Sequence, residues 1–197
     1  VVDKVSAITE RAMAGEIDFE GSLRERVGLL KGLSFDKVMS LANNLPLTPG
    51  VEEMLSVLKT LGFKTGVISG GFSFAADTLK ERLGLDYAYA NRLEVENGVL
   101  TGRVFSPVVT PQRKSDLLDT IAQGEGISLD QTIAIGDGAN DMAMLERAGL
   151  GIAFHAKAKL KAAADTAVSQ GGLDRILFLL GLHARDVNAI LKRNKAA

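Results

Sequence analysis

The stretch "IAIGDGANDMAML", residues 133–145, restricts this chain more than any other. A short apolar run ends in glycines at 136 and 138, which flank Asp137, and a second carboxylate, Asp141, follows four residues later. An apolar run stopped by glycine reads as a buried strand, and Asn140 or Asp141 can cap a following helix that Gly149 would close. The pattern of strand, glycine turn and helix also occurs at "VISGGF", residues 67–72. Strands are predicted at 64–69, 131–136, 150–154 and 166–169, and helices at 50–61, 73–83 (closed by Gly84), 114–123, 140–148 and near 173–182. Strands alternating with helices predict an α/β fold: a Rossmann-like, mostly parallel sheet with helices on both faces. One insertion departs from it. "RLEVENGVLTGRV", residues 92–104, sets Asn97-Gly98 between alternating apolar residues and predicts a β-hairpin.

The first 45 residues read as helical. Asp18 is a good N-cap, and Phe19, Leu23, Val27 and Leu30 keep a helical stripe behind it. Arg26 falls near the middle of that stripe. Either its stem packs while its head reaches water, or its guanidinium is aimed at an anion in a cleft. Pro46 and Pro49 break the helical pattern, and Thr48-Pro49 opens a new helix with Glu52 and Glu53 in its first turn. The expected organisation is a helical subdomain over 1–46, a main domain over 47–183 and a basic tail over 184–197, either a weakly amphipathic helix or a fraying end.

Composition excludes several classes. The chain has 197 residues, no cysteine, two histidines and a formal net charge of −1. There are no disulfides or thiolate metal sites, and zinc, thiol and serine hydrolase readings are poor. The charge gives no reason to expect nucleic acid or an anionic membrane as partner. The longest apolar runs, such as 176–182, are too short to span a bilayer. Cysteine-free chemistry fits a cytoplasmic location.

Ligands of open parallel sheets bind beyond the carboxyl ends of the strands. Ser69, Gly70 and Gly71 end one strand with a hydroxyl, backbone N–H groups and a helix start, the parts of a phosphate cradle; a plain turn would look the same. Lys114 sits beside a helix start, where a cation is slightly unfavourable unless an anion binds. Asp137 suits a hard cation such as Mg²⁺, which takes few protein oxygens and the rest from water and phosphate. Asp141, one turn on, is better placed to orient it. His155 is read as packing or surface.

With these stretches assembled, the chain resembles the haloacid dehalogenase-like phosphatases and, within them, the phosphoserine phosphatase branch. "GDGAND" (136–141) matches the acidic motif, "SGGF" (69–72) the hydroxyl motif and Lys114 the lysine. Residues 12–33 match the small helical cap of that branch, and residues 83–102 and 148–165 match as well. The resemblance implies that Asp137 binds Mg²⁺ with Asp141 behind it. Ser69, Gly70, Gly71 and Lys114 would hold the phosphoryl group, with Ser69, Lys114 and Asp141 serving catalysis. Asn140 would contact the substrate, Arg26 would pair with the carboxylate of O-phosphoserine, and Met13 and Phe19 would line its apolar side. The implied partner is that small molecule, and the resemblance admits a homodimer. One part of the pattern is absent. The family attacks phosphorus with an aspartate in a DxDxT motif on its first core strand, and these 197 residues hold no D-x-D pair. The expectation is therefore a truncated chain: a cap incomplete at its start, a core lacking its first strand and a segment inactive alone. The alternatives are a phosphatase for another small phosphomonoester and a noncatalytic phospho-ligand binder.

Overall fold

The structure, a computed structural model, describes residues 2–196, and the side-chain surroundings of residues 3–195. Val1 and Ala197, the outermost residues of the expected subdomain and tail, lie outside the described residues. The chain opens with α1 (Val2–Met13), α2 (Phe19–Gly28) and α3 (Phe35–Asn43). Asp18 caps α2, its Oδ1 accepting the Gly21 N–H at 2.7 Å. There follow α4 (Val51–Thr60), β1 (Gly66–Phe72), α5 (Ser73–Leu83) and β2 (Tyr87–Asn91). The hairpin of β3 (Leu93–Glu96) and β4 (Val99–Val104) turns at Asn97 (φ 49°) and Gly98 (φ 75°), both left-handed as a two-residue hairpin turn requires. Then come α6 (Pro111–Glu125), β5 (Ile133–Gly136), α7 (Met142–Arg147), β6 (Leu150–Phe154), α8 (Ala158–Ala163), β7 (Thr166–Val168), α9 (Arg175–Leu179) and α10 (Ala184–Ala196).

β5, β6 and β7 form a parallel sheet in that order, and the period of two along β6 divides the core. Ile152 and Phe154 join Met54, Leu55, Val57 and Leu58 of α4, Ile176 and Leu177 of α9 and Val187 of α10. Ala153, between them, joins Leu118 of α6, Met144 and Leu145 of α7 and Leu160 of α8. Helices therefore cover both faces, as expected. α10 is seated on α4, where Asn194 Nδ2 donates to Ser56 Oγ (2.9 Å) and Thr60 Oγ1 (2.8 Å), so the segment after residue 183 is a docked helix. A third cluster joins Leu23 and Val27 of α2 to Leu93, Leu100 and Val104 of the hairpin, and Ser34 bridges Val99.

Three features differ from expectation. The parallel strands form two sheets: among the described residues β1 pairs only with β2, and neither hydrogen-bonds to β5. β2, "YAYAN", is a strand beyond those predicted: its tyrosines suit a strand, but its alanines and asparagine weaken the signal; the Tyr87 and Tyr89 rings stack on one face. Gly149 does not close α7, which ends at Arg147. Its role is close approach, since a Cβ there would stand 2.4 Å from the Asp130 carbonyl oxygen.

Gly149→Ala must push backbone against backbone and is expected to destabilise the fold by about 1–3 kcal/mol. It should appear as a lower urea midpoint at unchanged m-value, and an unchanged midpoint would refute the close approach. Asp86 supplies a second test. Its Oδ2 accepts the Thr65 N–H at 2.8 Å, and Lys64 Nζ lies 3.3 Å from Oδ1. Burial alone would raise this carboxyl, but the Thr65 N–H and the Lys64 ammonium outweigh burial and hold it below the usual aspartate range. Stability from a depressed carboxyl is present above the unfolded-state pKa of about 3.9 and is lost as pH falls through the lower folded value. Asp86→Asn should thus be less stable than wild type at neutral pH, with the gap closing in acid. A gap independent of pH would contradict it.

Candidate functional site

β1 loses register before it ends. Ile68 pairs with Tyr89 and Phe72 with Asn91, so four steps along β1 span only two along β2. The residues thrown out of the ladder are Ser69, Gly70 and Gly71, and Ser69 Oγ accepts the Gly71 N–H at 3.0 Å. The expected cradle is therefore a bulged turn rather than a simple strand end. Phe19 reaches it from α2, since a Cβ at Gly70 would lie 3.6 Å from Phe19 Cζ. Arg26, seven residues on, shares that helical face two turns away. Its Nε donates to Ser22 O at 3.2 Å, and it joins no ion pair among the described residues. Met13 is not drawn in: it is 85% exposed at the end of α1.

Lys114 lies inside the first turn of α6, not before the helix. The helix begins at Pro111 behind the N-cap Thr110, whose side chain accepts the Arg113 N–H at 3.1 Å. That start buries Lys114, and its Nζ meets Asp141 Oδ1 at 2.6 Å, both residues being 5% exposed. The other carboxylate oxygen, Oδ2, accepts the Asp137 and Gly138 N–H groups at 3.2 Å each. Asp141 stands at the N-cap position of α7 but makes no side-chain cap bond to that helix; its carboxylate is spent on the loop N–H groups, Gly138 among them, and on Lys114. Gly136 admits this packing, because a Cβ there would fall 2.4 Å from Asp141 Cβ. The Asp137 carboxylate is exposed just beyond β5 and makes no side-chain hydrogen bond or ion pair among the described residues. Asn140 folds back over Gly138.

Two residues that sequence reasoning missed join these parts. Asn91, at the end of β2, donates from Nδ2 to Gly70 O (2.9 Å) and accepts the Val109 N–H on Oδ1 (2.7 Å). Thr110, the next residue after Val109, caps α6. The Thr110-Pro111 dipeptide was a readable signal of the kind used at Thr48-Pro49, where Gly50 instead takes the N-cap place. Asn91 had no such signal. A separate cavity of about 450 Å³ between α3, α5 and β3 is lined by Phe35, Phe74, Asp77, Arg92 and Phe105 and contains none of the predicted site residues.

Asp137 offers one hard oxygen to a cation, but no group of three or more His, Cys, Asp or Glu is placed to hold a metal among the described residues. A Mg²⁺ ion fits here only in its usual style, with one carboxylate and the rest from phosphate, water or a further carboxylate. The arrangement offers a hydroxyl and glycine turn, an ammonium and an exposed carboxylate, each beyond its own strand end or at the helix start tied to it.

Lys114→Met should strand the Asp141 carboxylate in a dry setting and destabilise the fold by about 3–5 kcal/mol. Lys114→Met with Asp141→Asn, which keeps an acceptor for the loop N–H groups, should recover part of that. Additive losses in the double-mutant cycle would show that the pair is not coupled.

The sequence model described as haloacid dehalogenase-like hydrolase matches residues 4–146. The chain is 50% identical over 184 residues, 93% of its length, to the phosphoserine phosphatase of Archaeoglobus fulgidus, of which it covers 54%. It spans about half the length of several curated relatives it matches. The crystal structure of a probable phosphoserine phosphatase from Vibrio cholerae, in unliganded form, superposes with a TM-score of 0.85 at 43% identity, covering 97% of this chain and 58% of that one. A substrate-bound phosphoserine phosphatase complex superposes with a TM-score of 0.80 at 47% identity, covering 89% and 83%. No helix among the described residues is long and apolar enough to cross a membrane. With its parallel strands, helical cover and acidic loop, the chain belongs to the haloacid dehalogenase-like hydrolase family.

Proposed function

We propose that the protein hydrolyses O-phospho-L-serine to serine and phosphate, the last step of serine biosynthesis, with Mg²⁺ as cofactor. The observation that carries this reading is the buried Lys114–Asp141 pair, which ties the loop bearing Asp137 to the first turn of α6. The substrate is supported by the relatives named phosphoserine phosphatase. In this reading Ser69, the Gly70 and Gly71 turn and Lys114 surround the phosphoryl oxygens. Their donors are aimed at charge that grows during transfer, where such groups act most strongly. An ammonium has three donors; Asp141 takes one, and the others remain for phosphate. Asp137 would hold Mg²⁺, which when bound offsets the negative charge brought together there. Asn140 contacts substrate from the same loop, Arg26 meets its carboxylate, and Phe19 covers the turn from α2. Met13 would have to move inward to take part. The expected subdivision into a helical cap (1–46), core (47–183) and tail (184–197) fits this division of labour.

The attacking group in this proposal is an aspartate from chain outside these 197 residues. Its oxygen would bond to phosphorus as the P–O bond to serine breaks, the serine oxygen taking a proton from the second acid of the DxDxT motif. Water would then attack phosphorus, give a proton back to that acid and release phosphate and the free carboxylate. Two facts support it: the 197 residues contain no D-x-D pair, and β1 and β5 lie in separate parallel sheets. The first of these also favours a second reading, a phospho-ligand binder without turnover.

The test is an assay of the full-length gene product on phosphoserine, phosphothreonine and a sugar phosphate. Preference for phosphoserine is expected, and Arg26→Ala should raise its KM about 10-fold or more, as loss of a charge-assisted hydrogen bond does. An untouched KM would refute the assignment of Arg26. A better sugar phosphate would refute the substrate, and phosphate binding without hydrolysis would select the binder.

A further inference from the structure

We infer that Asn91 is a positioning residue for the proposed reaction, the clamp that sets the Ser69–Gly71 turn at a fixed distance from Lys114. The inference rests on the phosphatase reading and adds a residue remote from the acidic loop. Asn91 is 1% exposed and, among the described residues, is the one polar member of the largest fully buried side chains. Its amide is used at both ends. Nδ2 donates to the carbonyl of Gly70, the middle residue of the bulged turn, at 2.9 Å. Oδ1 accepts from the Val109 N–H at 2.7 Å, and Val109 directly precedes Thr110, the cap from which α6 carries Lys114. One planar group of fixed length therefore joins the turn that would hold phosphoryl oxygens to the base of the helix that carries the ammonium. Among the described residues no other side chain hydrogen-bonds to both segments.

The chemistry singles out asparagine. The position needs a donor and an acceptor at opposite corners of a short planar group. Aspartate would accept from Val109 but set a carboxylate oxygen against the Gly70 carbonyl, acceptor facing acceptor. Leucine has nearly the same size and would leave the half-buried Gly70 carbonyl and the buried Val109 N–H unpaired. A protonated aspartic acid, with one O–H donor and one C=O acceptor, reproduces the amide pattern. That equivalence separates positioning from mere filling of a core site.

The experiment uses the full-length gene product with Asn91→Asp and Asn91→Leu, assayed well below each variant's unfolding midpoint. A displaced cradle acts on transfer, so kcat for phosphoserine should fall about 10- to 100-fold, with KM held within about threefold. For Asn91→Asp, kcat relative to wild type should recover as pH falls and the carboxyl takes up its proton, while Asn91→Leu shows no recovery. Wild-type kcat in the folded fraction of both variants would overturn the inference and leave Asn91 a packing residue. A product inactive on phosphoserine before substitution would refute the proposed function instead. The clamp is then read from amide resonances. In Asn91→Asp those of Gly71 and Lys114 should shift together and return on acidification; shifts at only one of the two would overturn it.

Discussion

Lys114 and Asp141 are buried together, and most of the candidate site follows from that. Withdrawing an ammonium and a carboxylate from water is tolerable only if each charge keeps close partners. At 2.6 Å, with two backbone N–H groups on the second carboxylate oxygen, Asp141 meets that demand. Its attachments explain the loop sequence. Gly136 makes room for the carboxylate, the N–H groups of Asp137 and Gly138 turn toward it, and the Asp137 side chain is left facing outward. An exposed acid held on a rigid loop suits a hard cation better than a mobile one, because its position need not be organised on binding.

The scaffold beneath the site is organised by alternation along β6. Large residues at 152 and 154 face α4, α9 and α10, while the small Ala153 lets α6, α7 and α8 approach the other face. The side carrying α6 and α7 is the one that brings Lys114 to Asp141. The other parallel pair, β1 with β2, delivers the glycine turn, and Asn91 connects it to the start of α6. Among the described residues, the edge of β1 away from β2 and the edge of β5 away from β6 pair with no other strand.

Much of this was legible in the residues. The Asp18 cap, the Asn97-Gly98 turn, the left-handed Gly84 and the alternation of strands with helices depend on neighbours close in sequence, and each is found as expected. Other signals were local but ambiguous. A helix does open after Thr48-Pro49 with Glu52 and Glu53 in its first turn, yet Gly50 takes the N-cap place there, whereas the look-alike Thr110-Pro111 supplies its own cap. Gly149 resembles a helix stop, and only the nearby Asp130 backbone reveals why it is glycine.

By itself the sequence determined the class of fold, the places where strands end in glycine and acid, and the residue types available for phosphate chemistry. Those follow from backbone sterics and periodicity, which act over a few residues. Only the tertiary structure decided that Lys114 meets Asp141 across 27 residues, that Asn91 joins Gly70 to Val109, and that Met13 stands in solvent while Phe19 reaches Gly70. The physical reason is desolvation: what a lysine, an aspartate or an asparagine does depends on which groups replace its water, and folding chooses those groups from distant parts of the chain.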